Sequence, residues 1–169
     1  MIHKLHMAMI ELYHGDAKRI QHFCKVHSYA KLIAEMEKVD ADTLFILETA
    51  ALTHDIGIHL CEEKYGNSNG KLQEKEGPAI AEKLLAELGF SKEVSERVQY
   101  LIAHHHTYSN IDSIDYQILV EADFLVNMYE DELSGEAIQN AYRNIFRTET
   151  GKKICREMYD CKKAEVDKE

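Results

Sequence analysis

Apolar residues recur at intervals of three and four along almost the whole chain, while period-two alternation is scarce, so the pattern predicts helices and no convincing strand. Helices are expected at about 2–13, 16–38, 42–60, 77–89, 91–106, 114–130, 134–148 and 150–161. Asp16, Asp42, Ser91 and Ser134 are candidate N-caps, because their side-chain oxygens can accept from the free amides of a first turn. The segment Glu62 to Lys71 concentrates Gly, Asn and Ser and reads as an exposed loop. The charged stretch Lys162 to Glu169 is expected to fray.

Three polar intrusions break these apolar stripes. His54 and Asp55 lie inside the apolar run Leu47 to Ile58, where an unpaired carboxylate is costly unless it is hydrogen-bonded or bound to a cation. Asp123 shares a helix face with Leu119, Val120, Val126 and Asn127. His22 falls on a stripe with Val26, Ala30, Ile33 and Ala34, so its imidazole should point inward, whereas His27 lies about 100° further round, at the margin. Glu121 points to another side of its helix than Asp123 and reads as a solvated acid or a supporting group. Taken singly, each intrusion also fits a private hydrogen bond: a core histidine on a carbonyl, or a His54–Asp55 pair.

Composition narrows the partners. With 169 residues, 45% of them hydrophobic, and one proline, one domain over 1–169 is expected, its motif-bearing core at about 16–127 and its C-terminal helices at about 134–161. A formal charge of −10, from 30 acidic against 20 basic residues, disfavours nucleic acid and anionic membrane surfaces. A small phosphorylated substrate is still allowed, because a bound cation reverses the local field. Cys24, Cys61, Cys155 and Cys161 form no Cys-x-x-Cys pair and no secretory leader precedes them, so reduced thiols in a cytoplasmic protein are expected. No apolar stretch is read as approaching the about 18 residues that span a bilayer. The oligomeric state is not legible.

Taken together and in order, His22, His54-Asp55 and Asp123 resemble the metal-binding signature of the HD-domain metal-dependent phosphohydrolase superfamily. The likeness is carried by His22-x-x-x-Val26 with its spaced alanines, by Thr53-His54-Asp55-Ile56-Gly57, and by Glu121-Ala122-Asp123-Phe124-Leu125. It implies a compact all-α bundle in which His22, His54, Asp55 and Asp123 bind a divalent metal ion. Imidazole and carboxylate ligands suit manganese, iron, cobalt, nickel or zinc, and magnesium is also admitted. One ion is expected and a second is possible. In binuclear members a segment similar to Leu101 through His106 ligates the second ion, which makes His104 and His105 the candidates and His106 less favoured. The binuclear pattern also carries a histidine four positions before a glycine, and here Gln73 stands four positions before Gly77. Glu74 or Glu76 would then offer a substitute carboxylate, or merely favour a helix start.

The resemblance implies metal-assisted hydrolysis of a small phosphate ester such as a nucleotide or phosphometabolite, with Asp55, His104 and His105 as catalytic residues. Asp55 would ligate the ion and orient water, and the two histidines would donate to phosphate or protonate the leaving alkoxide. Arg19, Lys25 and Lys71 are candidate phosphate contacts. There is no Gly-x-Ser-x-Gly, no Gly-Lys-Ser/Thr phosphate loop and no His-Glu-x-x-His pair. Ile56-Gly57-Ile58-His59 follows the His-Asp pair in place of an acidic pair, a poor match to guanosine tetraphosphate hydrolases. Gly-Tyr-Pro does not follow the histidine cluster. The alternative is a noncatalytic HD module that binds a nucleotide or metal as a sensor.

Overall fold

The computed structural model describes residues 1–161; the expectation of a fraying tail at 162–169 lies outside them. Among the described residues there are nine helices and no strand: α1 Ile2–Leu12, α2 Ala17–Met36, α3 Ala41–Thr53, α4 Ile58–Tyr65, α5 Gly70–Glu87, α6 Lys92–Ile102, α7 Ile114–Glu130, α8 Gly135–Asn144 and α9 Glu149–Tyr159. The all-α expectation holds.

At the centre lies α3, packed against α1, α2, α6 and α7. It is buried continuously from Leu47 through Thr53, as a helix enclosed on every side must be. Along its flanks, α2 packs on α7 and α5 pairs with α6. The stretch Ala41–Tyr65 does have the length and apolarity of a membrane span, against the expectation, but 61% of that window is buried within the protein. The turn at 54–57 also interrupts it.

That turn is the main departure from the predicted elements. The helix expected at 42–60 ends at Thr53, tightens through the i→i−3 bonds Ile56 N to Thr53 O and Ile58 N to Asp55 O, and resumes as α4. Its cap is Asp40, whose Oδ1 accepts from the amides of Asp42 and Thr43, so Asp42 sits in the first turn. Asp16, Ser91 and Ser134 cap α2, α6 and α8 as expected.

The loop read at 62–71 shrinks to 66–69. Lys64 and Tyr65 stay helical, both bonded to Glu76, and Asn69 accepts from Leu72 N to start α5 seven residues earlier than expected. Pro78 therefore lies inside α5. Gly77 before it has no Cβ for the proline ring to crowd. It is also where the turn touches α5, since a Cβ on Gly57 would stand 3.1 Å from the Gly77 backbone.

Glu121 corrects another expectation. It is fully buried, and its carboxylate accepts from Gln117, from the backbone of Arg147 and Thr148, and from the Thr148 hydroxyl. Helix α7 is covered on a second side by α9, so its polar-looking face is interior too.

Candidate metal centre

The turn after α3 presents His54 and Asp55. His54 is completely buried, and its Nδ1 lies 2.9 Å from the carbonyl of Ala51. A carbonyl only accepts, so the proton sits on Nδ1 and Nε2 faces the interior with a lone pair. The buried Tyr13 hydroxyl donates to the Asp55 carbonyl at 2.7 Å and holds the turn from the other side.

From α2, His22 projects inward as its stripe predicts. Its Nδ1 lies 2.9 Å from Glu130 Oε2 near the end of α7, again turning Nε2 to the centre. There His22 Nε2 is 3.2 Å from His54 Nε2, 3.2 Å from Asp123 Oδ1 and 3.4 Å from Asp55 Oδ2. His54 Nε2 is 3.5 Å from each of the same two carboxylate oxygens. The structure thus gathers all four expected residues around one point.

Protonation follows the burial and the charges. Burial disfavours a charged His22, but Asp123, Asp55 and Glu130 outweigh it and raise its pKa to about 9. His54 is raised against the same penalty by Asp55 and Asp123. Burial would raise Asp55 and Asp123, yet the histidines around them hold both well below the usual carboxylate range. The centre therefore demands positive charge. Asp123 Oδ1 is buried without a hydrogen bond of good geometry, and two histidine nitrogens face each other 3.2 Å apart, where two lone pairs have nothing to share unless a cation lies between them. A divalent ion answers both conditions. Donor separations of 3.2–3.5 Å suit ligand bonds of about 2.0–2.2 Å. His22, His54 and Asp123 together can hold such an ion.

A second group adjoins it. Asp55 Oδ1 lies 3.5 Å from His105 Nε2, and Asp55, His105 and His106 also gather within metal-binding reach. Asp55 therefore turns one oxygen to each group. His105 donates from Nδ1 to the Ile102 carbonyl at 2.7 Å, which leaves its buried Nε2 unpartnered, and His106 Nε2 is unpartnered too. Of the three consecutive histidines, His104 faces elsewhere, with Nδ1 2.7 Å from the Tyr100 carbonyl and its ring stacked on Tyr100. Glu74 does not point to the group; it accepts from the amide of His106 and the hydroxyl of Thr107 and fixes the turn that carries them. Glu76 is engaged by Tyr65 and Lys64. Gln73 lines the adjoining cavity, its Nε2 donating to the Ser68 carbonyl and its Oε1 buried without a partner.

The cavity above has a volume of about 390 Å³ and reaches His22, Asp55, Asp123 and His106 at its floor. Of the cations proposed from sequence, only Arg19 lines it, and Arg19 is tied to Asp16 and Glu62. Lys25 is paired with Glu130 and Lys71 with Glu74. Lys18, which the sequence did not single out, lines the cavity, is exposed and has no ion-pair partner among the described residues. Glu130 was also missed, although Asp123, Asn127 and Glu130 follow one another at helical spacing and all three line the cavity. Tyr13 left no signal, because its role depends on a contact 42 residues away.

An HD domain family model matches residues 19–137. The structure of a predicted HD superfamily hydrolase from an uncultured Thermotogales bacterium is similar, with a TM-score of 0.67 and 28% identity over 94% of this chain and 84% of that one. No curated protein matches the chain.

Proposed function

The chain belongs to the HD-domain superfamily of metal-dependent hydrolases, and on that premise we propose that it hydrolyses a small phosphate ester, with His22, His54, Asp55 and Asp123 as metal ligands. The observation that carries this reading is the convergence of those four side chains on one point, with His22, Asp55 and Asp123 opening onto a cavity of about 390 Å³ and His54 buried behind them. A pocket near the lower end of the about 300–1,000 Å³ typical of small-molecule sites fits a mononucleotide or a phosphorylated metabolite.

The charge balance favours a phosphate only with a cation in place. Asp55, Asp123, Glu130 and Asp131 line the cavity against Lys18 and Arg19. A divalent ion held by the four ligands supplies polarisation of a phosphoryl oxygen and acidification of water. Lys18, unpaired at the rim, attracts the dianionic ester and steadies its outer oxygens. Asp55 accepts a proton-bearing contact from the attacking water and aligns it. The proton-handling role expected of His104 and His105 falls in this reading to His105, whose Nε2 lies 3.5 Å from Asp55 Oδ1, with His106, held neutral by burial, beside it to contact substrate or water.

The test is elemental analysis of protein purified without chelator, together with a screen of phosphomonoesters, nucleotides and cyclic nucleotides against several divalent ions. Metal-dependent turnover that disappears in Asp55→Ala, with helical content retained, supports the enzyme. Tight nucleotide binding without turnover would replace it with the sensor reading.

A further inference from the structure

Helices α2 and α9 each carry an apolar stripe that the core does not use. On α2 the core takes Val26, Ala30 and Ile33, while Tyr29, Leu32 and Met36 follow one another at helical spacing on the next face. On α9 the buried positions are Gly151 and Cys155, and Ile154 and Met158 form a second row beside them. Where α9 packs on α2, the two outer rows become the walls of a groove of about 300 Å³, which shares no residue with the metal-site cavity. Leu32, Met36 and Met158 are 46%, 63% and 41% exposed, so large apolar side chains left in water are gathered on one patch.

Two charges border this patch. Lys153 and Glu157 lie one turn apart on the α9 wall; both are exposed, and neither has an ion-pair or hydrogen-bond partner among the described residues.

We propose that the groove receives a second copy of this chain, in a two-fold dimer whose α9 helices cross antiparallel. A two-fold axis passing between Lys153 and Glu157 reverses the helix, so the lysine of each copy stands against the glutamate of the other and both free charges are paired in one contact. The apolar rows beside them close on each other and leave water. A net charge of −10 over the whole chain attracts basic partners and repels a copy at long range. The groove itself, however, holds one charge of each sign and is complementary to its own reverse. Residues 162–169 would bring only Ala164 and Val166 as apolar side chains to a groove walled by Leu32, Met36 and Met158.

Light scattering on the full-length protein over a concentration series tests the dimer, and the unaltered chain should reach twice the monomer mass. Lys153→Glu and Glu157→Lys each set like charges opposite one another and should raise the dimer dissociation constant by about tenfold or more. The double variant exchanges the two signs and should return it to the unaltered value. Peroxide supplies a footprint: Met36 and Met158 should oxidise more slowly than the exposed Met7 in the dimer, and lose that protection in the Lys153→Glu protein. A monomer at every concentration overturns the proposal. In that case, protection of Met36 and Met158 would mean that residues 162–169 fill the groove, and free oxidation would leave it to a different protein. A dimer unaffected by both single reversals, or not restored by the double exchange, overturns the α9 crossing.

Discussion

Glu130 Oε2 lies 2.9 Å from His22 Nδ1, while the other oxygen of the same carboxylate holds the Lys25 ammonium at 2.5 Å. The contact fixes which His22 nitrogen carries the proton and aims the other at Asp123. Glu130→Gln keeps the side chain's shape and removes its charge. Affinity for the ion at the cavity floor should fall by about 10- to 100-fold, measured by competition with a chelating indicator. An unaltered affinity would detach Glu130 from the centre.

Gly70 opens α5 beneath His106, and a Cβ there would fall 2.7 Å from the imidazole Cγ. Gly70→Ala should therefore push the ring out of position and lower kcat by about 10- to 100-fold. The clash should also lower stability by about 1–3 kcal/mol, as overpacking does, offset in part by alanine's better helix propensity. Steady-state kinetics beside a denaturant melt separates the two effects; full activity in this variant would take His106 out of the chemistry.

Arg97 grips Asp115 with two hydrogen bonds, Nε to Oδ2 and Nη2 to Oδ1, both 2.8 Å. Burial opposes charge on Asp115, but Arg97 and Ser113 outweigh it and hold its carboxyl below the usual range. A carboxyl lowered in the fold stabilises it above the unfolded value of about 3.9 and loses that contribution as pH falls through the lowered one. Asp115→Asn should be less stable at pH 7 by about 1–3 kcal/mol, with the gap narrowing below about pH 4. Urea melts across that range test it, and a gap that widens in acid would contradict the pairing.

Gln73 lies beside the Asp55–His105–His106 group with its carbonyl oxygen unpartnered. Gln73→His would give that group the additional imidazole of the binuclear pattern. The second ion should then bind about tenfold more tightly or better, read as ion stoichiometry in native mass spectra. If stoichiometry and affinity stay as in the unaltered chain, the cavity does not accept a second ion through this position.

His22, His54 and Asp123 were legible because a polar residue inside an apolar helical stripe demands a partner, and the structure supplies each with the others. The turn at 54–57 was not. Its sequence is apolar on both sides, and the break depends on Tyr13 at the Asp55 carbonyl and on Gly57 lying against Gly77, contacts invisible to local periodicity. For the same reason Lys64 and Tyr65 read as loop until Glu76 is seen to hold them. Glu121 escaped because one stripe was counted on a helix that is covered on two sides. Three consecutive histidines carry no register of their own; the turn after α6, fixed by Glu74 and by Tyr116, whose hydroxyl donates to the carbonyls of His104 and Thr107, decides that His105 and His106 face inward.

The interruption at 54–57 also sets what can be transplanted. Neighbours on a regular helix diverge by about 100°, so copying His54 and Asp55 into an unbroken helix of another scaffold would aim one of them away from the shared point. A working graft must carry the tightened turn, the tyrosine hydroxyl that seizes its carbonyl and the glycine pair that lets α5 approach. The smallest portable unit is therefore a joint between three segments distant in sequence, and its fidelity in a new host could be scored by whether that tyrosine still finds its carbonyl.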